Sequence, residues 1–178
     1  MEHLSNIENN YPAANSSEGF RLTTALNRHL SWLFNEPSGV RINISKMIFD
    51  SLALPNAIFT KGNLSHIVFK NCELTGAVFQ EAMITNCQFL NCSLNDTVFT
   101  RSYSSRTSFQ VGTMLNANFT KSDLQSVDFQ GSDLRGANFA GANLYKADFR
   151  NADLRGVNVG ALNFAGAKLA GARRDGFV

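Results

Sequence analysis

Few side chains here could make or break bonds. The candidate bases, nucleophiles and metal ligands are three histidines, His3, His29 and His66, and three cysteines, Cys72, Cys87 and Cys92. Catalysis needs such groups to converge beside an oxyanion site or a metal. The histidines lie instead in a polar N-terminal stretch, a helical stretch and a repeat. The chain has no H-E-x-x-H, no glycine-rich phosphate loop and no C-x-x-C. Zinc would want a fourth ligand beside the thiols, and no His or carboxylate holds an equivalent position nearby. The cysteines therefore read as small buried fillers. This reading implies a non-enzyme with no cofactor, metal or small-molecule substrate. The N-x-[ST] triplets Asn43-Ile44-Ser45 and Asn118-Phe119-Thr120 are products of the repeat and carry no weight as glycosylation sites.

The elements that must position any working residue come from a period of five. From Ile44 every fifth residue is large and apolar: Phe49, Leu54, Phe59, Leu64 and onward to Phe164 and Leu169, broken only at Ser104. Two residues before each centre lies a second, mostly small series, such as Ala57, Gly62, Cys72, Ala77, Ala117 and Ala137. The residue just before the centre is often Asn or Asp. Five matches neither a helix face nor a strand. It matches a short extended side followed by a turn, with the small and large positions pointing inward together. A chain that keeps turning this way must coil, and stacked coils satisfy each other's backbone about 4.8 Å apart. Phe recurs every ten residues from Phe49 to Phe149 with Leu, Ile or Met between, which favours an even number of sides. With four sides, Phe49, Phe69, Phe89, Phe109, Phe129 and Phe149 stack in one column, and Phe59 through Phe139 stack opposite.

The run "GSDLRGANFAGANLYKADFRNADLRG", Gly131 to Gly156, resembles the A-[DN]-[LF]-x-x pattern of the pentapeptide-repeat family, and the resemblance extends over roughly residues 42 to 171. It implies an all-β solenoid, a right-handed quadrilateral parallel β-helix of about six to seven coils. Ile42, Met47 and Leu52 are larger than the family's usual residue, so an irregular first coil is expected.

Flanking regions differ in pattern. Residues 1–17 are polar and read as a disordered tail. Residues 18–40 read as a capping helix and linker: Leu22, Leu26, Leu30, Leu33 and Phe34 form an apolar stripe, with Ser16 or Ser17 as N-cap and Pro37, Ser38 and Gly39 as the stop. Such a helix would cover the open edge of the first coil. Residues 41–171 form the repeat and 172–178 a short tail, in which Phe177 is expected to fold back over the last coil. An under-covered C-terminal end suggests a homodimer formed end to end. No run is long and apolar enough for a membrane span. With an odd number of cysteines and no export signal, a cytoplasmic location is expected.

The net charge of +2 is too small to predict nucleic-acid or membrane binding, and neither is expected. Local columns say more. Lys61, Arg101 and Lys121 on one corner and Arg106 and Lys146 on the next make a basic edge, suited to an acidic protein partner. Ile58, Val78 and Val98 form an outward β-branched ladder, either a packing device or a docking strip. In "TRSYSSRTSFQ", Ser102, Ser104 and Thr107 replace apolar residues beside Arg101, Tyr103 and Arg106. The break is either a tolerated packing defect or a recognition point, and a buried water, an inward Tyr103 or a local bulge would accommodate it. The expected role is a rigid protein-binding rod. The resemblance also offers a DNA-mimicking topoisomerase-binding protein that counters fluoroquinolones, though that activity needs an acidic surface and this rod is net positive. A third possibility is a bacterial effector secreted without a cleavable signal peptide.

Overall fold

The computed structural model describes residues 17–158 and 165–175. A helix, α1 (Ser17–Leu33), leads into a stack of coils. Six three-residue strands mark the early coils: β1 (Asn43–Ser45), β2 (Ile48–Asp50), β3 (Asn63–Ser65), β4 (Val68–Lys70), β5 (Met83–Thr85) and β6 (Gln88–Leu90). They form two parallel sheets, β1-β3-β5 and β2-β4-β6. The register advances by twenty residues, with Ile44 opposite Leu64 and Phe49 opposite Phe69. The same step continues through isolated bridges as far as Asp153 with Arg173. Four sides of five residues therefore make each coil, as the alternation of Phe and Leu suggested. We number the faces by their centres: face 1 on Ile44, Leu64 and Ile84; face 2 on Phe49 and Phe69; face 3 on Leu54 and Leu74; face 4 on Phe59 and Phe79.

Each coil is bonded to the next through its backbone. The Phe79 N–H donates to the Val98 carbonyl at 2.7 Å, and the Val78 N–H donates back to Ala57 at 2.8 Å. Inside, the two phenylalanine columns fill the rod. Rings within a column stack at 4.6 Å (Phe59 on Phe79) to 5.4 Å (Phe49 on Phe69). Rings of opposite columns meet edge to face, as Phe99 meets Phe109 at 5.4 Å. Both arrangements suit the aromatic quadrupole. All eleven of these Phe, from Phe49 to Phe149, are fully buried.

Corners are of two kinds. At most, the N–H three residues after the centre donates back to the centre's carbonyl, as Ala77 does to Leu74 at 2.9 Å. Leu54-Pro55-Asn56-Ala57 has the Pro and the positive-φ third residue of a type II turn. After Phe49, Leu64, Phe69 and Ile84, each at the middle of a strand, that return bond is not made. There a side chain of the next coil meets the centre's carbonyl. The thiols of Cys72, Cys87 and Cys92 donate to Phe49, Leu64 and Phe69 at 3.4, 3.6 and 3.4 Å. The hydroxyl of Thr107 donates to Ile84. The cysteines are buried fillers, as their spacing suggested, but they are also donors. Burial pushes the Cys87 thiol up to about 11, so its proton stays in place at neutral pH.

Helix α1 covers the first coil with Leu22 and Leu26, which join the core, and Leu30 is buried as well. Phe34, expected in the same stripe, is 58% exposed because the helix ends at Leu33 and the chain turns away there. The linker folds back, with the Val40 N–H on the Arg28 carbonyl at 2.9 Å. Gly39 sits so close to the helix that a Cβ would come within 2.3 Å of the Trp32 nitrogen. His29, fully buried, joins helix to coil. Its Nδ1 accepts from the Ile42 N–H at 3.1 Å, which requires Nε2 to carry the proton that it donates to the Thr60 carbonyl at 2.9 Å. In later coils the carbonyl equivalent to Thr60 is met by the preceding coil, as Gln80 is by the Lys61 N–H. One imidazole thus occupies the place of a missing peptide. The predicted tail up to Ser16, and Phe177, lie outside the described residues, whereas coil pairing runs on through Arg173, past the expected boundary at 171.

Two stability tests follow from these bonds. His29→Phe keeps a ring and loses both contacts; it should cost about 1–3 kcal/mol in urea melts, the usual cost of buried groups left unpaired. Burial, with a smaller contribution from Arg41, holds the His29 pKa below its ordinary 6.5 despite the bond to Thr60. The unfolded chain then binds a proton that the folded chain resists. Stability should be full above about pH 6.5 and fall as pH drops toward the folded pKa, a step that the Phe variant lacks. Cys72→Ala and Cys92→Ala should each cost about 1–3 kcal/mol, and Cys72→Ser, which keeps a donor, should cost less.

Candidate partner-binding faces

Because the core columns face inward, the candidate site residues must lie on the outer faces or the corners. The third residue of every described corner is left-handed: Asn56, Arg101 and Lys121 have φ of 58°, 57° and 58°. In L-residues this conformation costs roughly 1–2 kcal/mol, and Gly and Asn bear it best. Between faces 2 and 3, and between faces 3 and 4, the sequence mostly follows that preference, with Asn71, Asn91, Gly131 and Asn151, and with Asn56, Gly76, Asn116, Gly136 and Gly156; Ser51, Asp96 and Val111 are the exceptions. On the two corners flanking face 1 it departs from it. One carries Lys61, Glu81, Arg101 and Lys121, the other Lys46, His66, Arg106, Ser126 and Lys146, all at positive φ, and the preferred residues there are only Gly141, Asn86 and Gly166. The shared offset of Lys61, Arg101, Lys121, Arg106 and Lys146 marks a basic edge in the sequence; the structure adds that each occupies the strained backbone position.

Charge pairing separates the two halves of the rod. On faces 2 and 3, Arg135, Arg150 and Arg155 clamp Asp133, Asp148 and Asp153 at 2.7, 2.8 and 2.7 Å. Lys70, Lys168 and Arg173 pair with carboxylates there too. Hydrogen bonds from Arg150 hold the Asp148 carboxyl down to about 2, and those from Arg155 do the same for Asp153. Around face 1 the described ion pairs number one, Lys61 with Glu81 at a loose 3.9 Å. Arg101, Arg106, Lys121 and Lys146 stand exposed outside any ion pair among the described residues, and Lys146 lies over the Tyr145 ring at 5.1 Å. Face 1 also exposes Met83 and Tyr103.

The Ser104 interruption sits within this region and leaves the coil regular. The Ser104 N–H meets Asp123 at 2.9 Å, and the Thr107 N–H closes the corner on Ser104 at 3.1 Å. There is no bulge, and Tyr103 points outward at 56% exposure. The buried hydroxyls of Ser102 and Ser104 pair with each other at 3.0 Å, while Thr107 serves the Ile84 carbonyl. The interruption thus places Tyr103 on face 1 between the corner residues Arg101 and Arg106 of the same coil. Ile58, Val78 and Val98 stack one coil apart on face 4 and are half-buried by that stacking.

The outward Asn and Asp residues that precede each centre also have a structural task. Their side-chain oxygens accept from the N–H two residues on, as Asn138 does from Ala140 at 3.0 Å and Asp133 from Arg135 at 3.2 Å. They ladder between coils too, as the Asn143 side-chain amide donates to the Asp123 carboxylate at 3.1 Å. Among the described residues no group of three or more His, Cys, Asp or Glu could hold a metal ion, and no helix is long and apolar enough to cross a membrane.

Family models of pentapeptide repeats match residues 112–136 and 122–160, and a model of the pentapeptide repeat region matches residues 42–119. No curated protein matches the chain. Similar solved structures include QnrB1, a plasmid-mediated fluoroquinolone resistance protein, at 17% identity over 73% of this chain and 71% of its own, with a TM-score of 0.38. HetL, a pentapeptide repeat protein involved in heterocyst differentiation regulation in the cyanobacterium Nostoc sp. strain PCC 7120, is 16% identical over 83% and 92%, TM-score 0.25. A pentapeptide repeat protein of the Arabidopsis thaliana thylakoid lumen is 24% identical over 64% and 68%, TM-score 0.22.

Ser104→Leu would refill the column between Ile84 and Leu124 and leave Ser102 free to bond the Phe99 carbonyl, as Ser122 bonds Phe119. It should raise stability by about 1–2 kcal/mol, below the 2–5 that a full Leu-to-Ala cavity costs. Thermal denaturation of the single variant checks this.

Proposed function

The chain belongs to the pentapeptide-repeat family, and from that premise we propose that it is a non-enzymatic protein-binding module, a rigid rod that offers its side columns to a protein partner. The observation that carries this reading is the filled interior. Two phenylalanine stacks close the rod along its axis, so the working chemistry is left to the outer faces. Those faces are held by inter-coil bonds and present residues at fixed spacing, which lowers the ordering cost of binding. Three free, buried thiols fit a reducing, cytoplasmic setting.

The second reading, implied by the family resemblance, is a DNA-mimicking topoisomerase binder; one similar structure is a fluoroquinolone resistance protein. Similarity at that level assigns no role, so the surface must decide. A DNA mimic presents unpaired carboxylates, whereas here Asp50, Asp133, Asp148 and Asp153 of faces 2 and 3 are paired with Arg or Lys, and cations outnumber the carboxylates Glu81 and Asp123 around face 1. The expected result in a gyrase supercoiling assay is no relief from a fluoroquinolone at any concentration of the protein. Dose-dependent relief would establish the second reading. For the first, crosslinking of the intact rod in its native source should give one dominant protein adduct mapped to side positions. Adducts scattered evenly over all four faces would overturn it.

A further inference from the structure

We propose that face 1, with its two flanking corners, is the docking surface for an acidic extended segment of a partner protein. This rests on the reading of the rod as a protein-binding module and names the face and the partner's chemistry. Three independent observations converge. Lys61, Arg101 and Lys121 on one corner and Arg106 and Lys146 on the other line the same face. All but Lys61 stand outside any ion pair among the described residues, whereas Lys70, Arg135, Arg150, Arg155, Lys168 and Arg173 on faces 2 and 3 are paired with carboxylates. Each of the five also occupies a left-handed backbone position, with φ of 57° to 58°, where Asn or Gly would be better tolerated.

Strain of that kind persists where the side chain has a use elsewhere. The same protein places Asn or Gly at most equivalent positions on the far corners. An anion is therefore the complement, and the shape of the surface selects which anion. Face 1 is an extended, hydrogen-bonded wall with Tyr103 standing out from it and Asp123 one coil on, and the cations lie along its two corners, one row interrupted by Glu81, rather than in a single pocket. A flat, two-sided surface with an exposed aromatic between its charges suits a peptide with acidic side chains and an apolar or aromatic contact.

The test uses the full chain and a fluorescein-labelled peptide of alternating Glu and Gly carrying one central Tyr. The parent should bind it with an affinity that falls as salt rises. The variant Arg101→Gly/Arg106→Asn/Lys121→Gly/Lys146→Asn should lose at least tenfold in affinity while its thermal midpoint stays level or rises. A control, Arg135→Ser/Arg150→Ser/Arg155→Ser/Lys168→Ser, removes the same formal charge from faces 2 and 3 and should bind within about twofold of the parent. Equal losses in both variants would show bulk electrostatics and overturn the proposal, as would unchanged binding in the first. A lowered midpoint in the first variant would show that the cations are structural and overturn it too. Tighter binding to a single-stranded oligonucleotide of equal charge, or to phosphatidylserine vesicles, would replace the partner class. A native partner that crosslinks equally to parent and first variant would sink this assignment and leave the protein-binding reading standing.

Discussion

The twenty-residue coil is the constraint on which everything else depends. Each coil leaves a rim of peptide donors and acceptors, and the next coil satisfies it only in one register. That register puts Phe over Phe and Leu over Leu, so backbone bonding and core packing enforce the same alignment. Agreement between levels of this kind is what lets one sequence specify one structure. It also explains why a polar break can be tolerated. At Ser104 the packing weakens, yet the backbone rims above and below still match, and the hydroxyls find partners within the same coil and the one before.

The rims that no coil covers show the same constraint from the other side. At the N-terminal end, a helix has no row of free peptide groups to offer, so the fold uses one side chain with a donor and an acceptor on opposite sides of a ring. At the opened corners, thiols and a hydroxyl reach back one coil to a carbonyl. In both cases the cost of a buried, unpaired peptide group has selected the residue type.

These tasks differ in how well they can be read from sequence. Phe89 and Phe109 were placed on one wall by counting alone, because inward burial imposes a strict period and the count is never interrupted. Hydrogen-bonding roles leave no such trace. Cys72 and Cys92 look like any small residue until the carbonyls of Phe49 and Phe69 are seen to face them. His29 is one of many polar residues in an amphipathic helix, and nothing local reveals that its partners lie 13 and 31 residues away. The basic edge was visible as an offset, but the contrast that makes it a site was not. Recognising that Arg135 and Arg150 are neutralised while Arg101 and Arg106 stand outside any described ion pair takes distances, and the left-handed corner is masked where Lys and Arg occupy it. Phe34 misled because helical spacing continues on paper past the residue where the helix stops.

The coil length also governs how such a chain can change over generations. Deleting or duplicating twenty residues shortens or lengthens the rod and leaves every downstream side where it was. Deleting five keeps the motif intact to the eye but rotates everything beyond it by a quarter turn, setting Phe above Leu and moving the cationic corners off their shared side. Insertions and deletions in this molecule are therefore tolerable mainly in whole coils, and its functional surface is inherited as a stripe rather than as a patch.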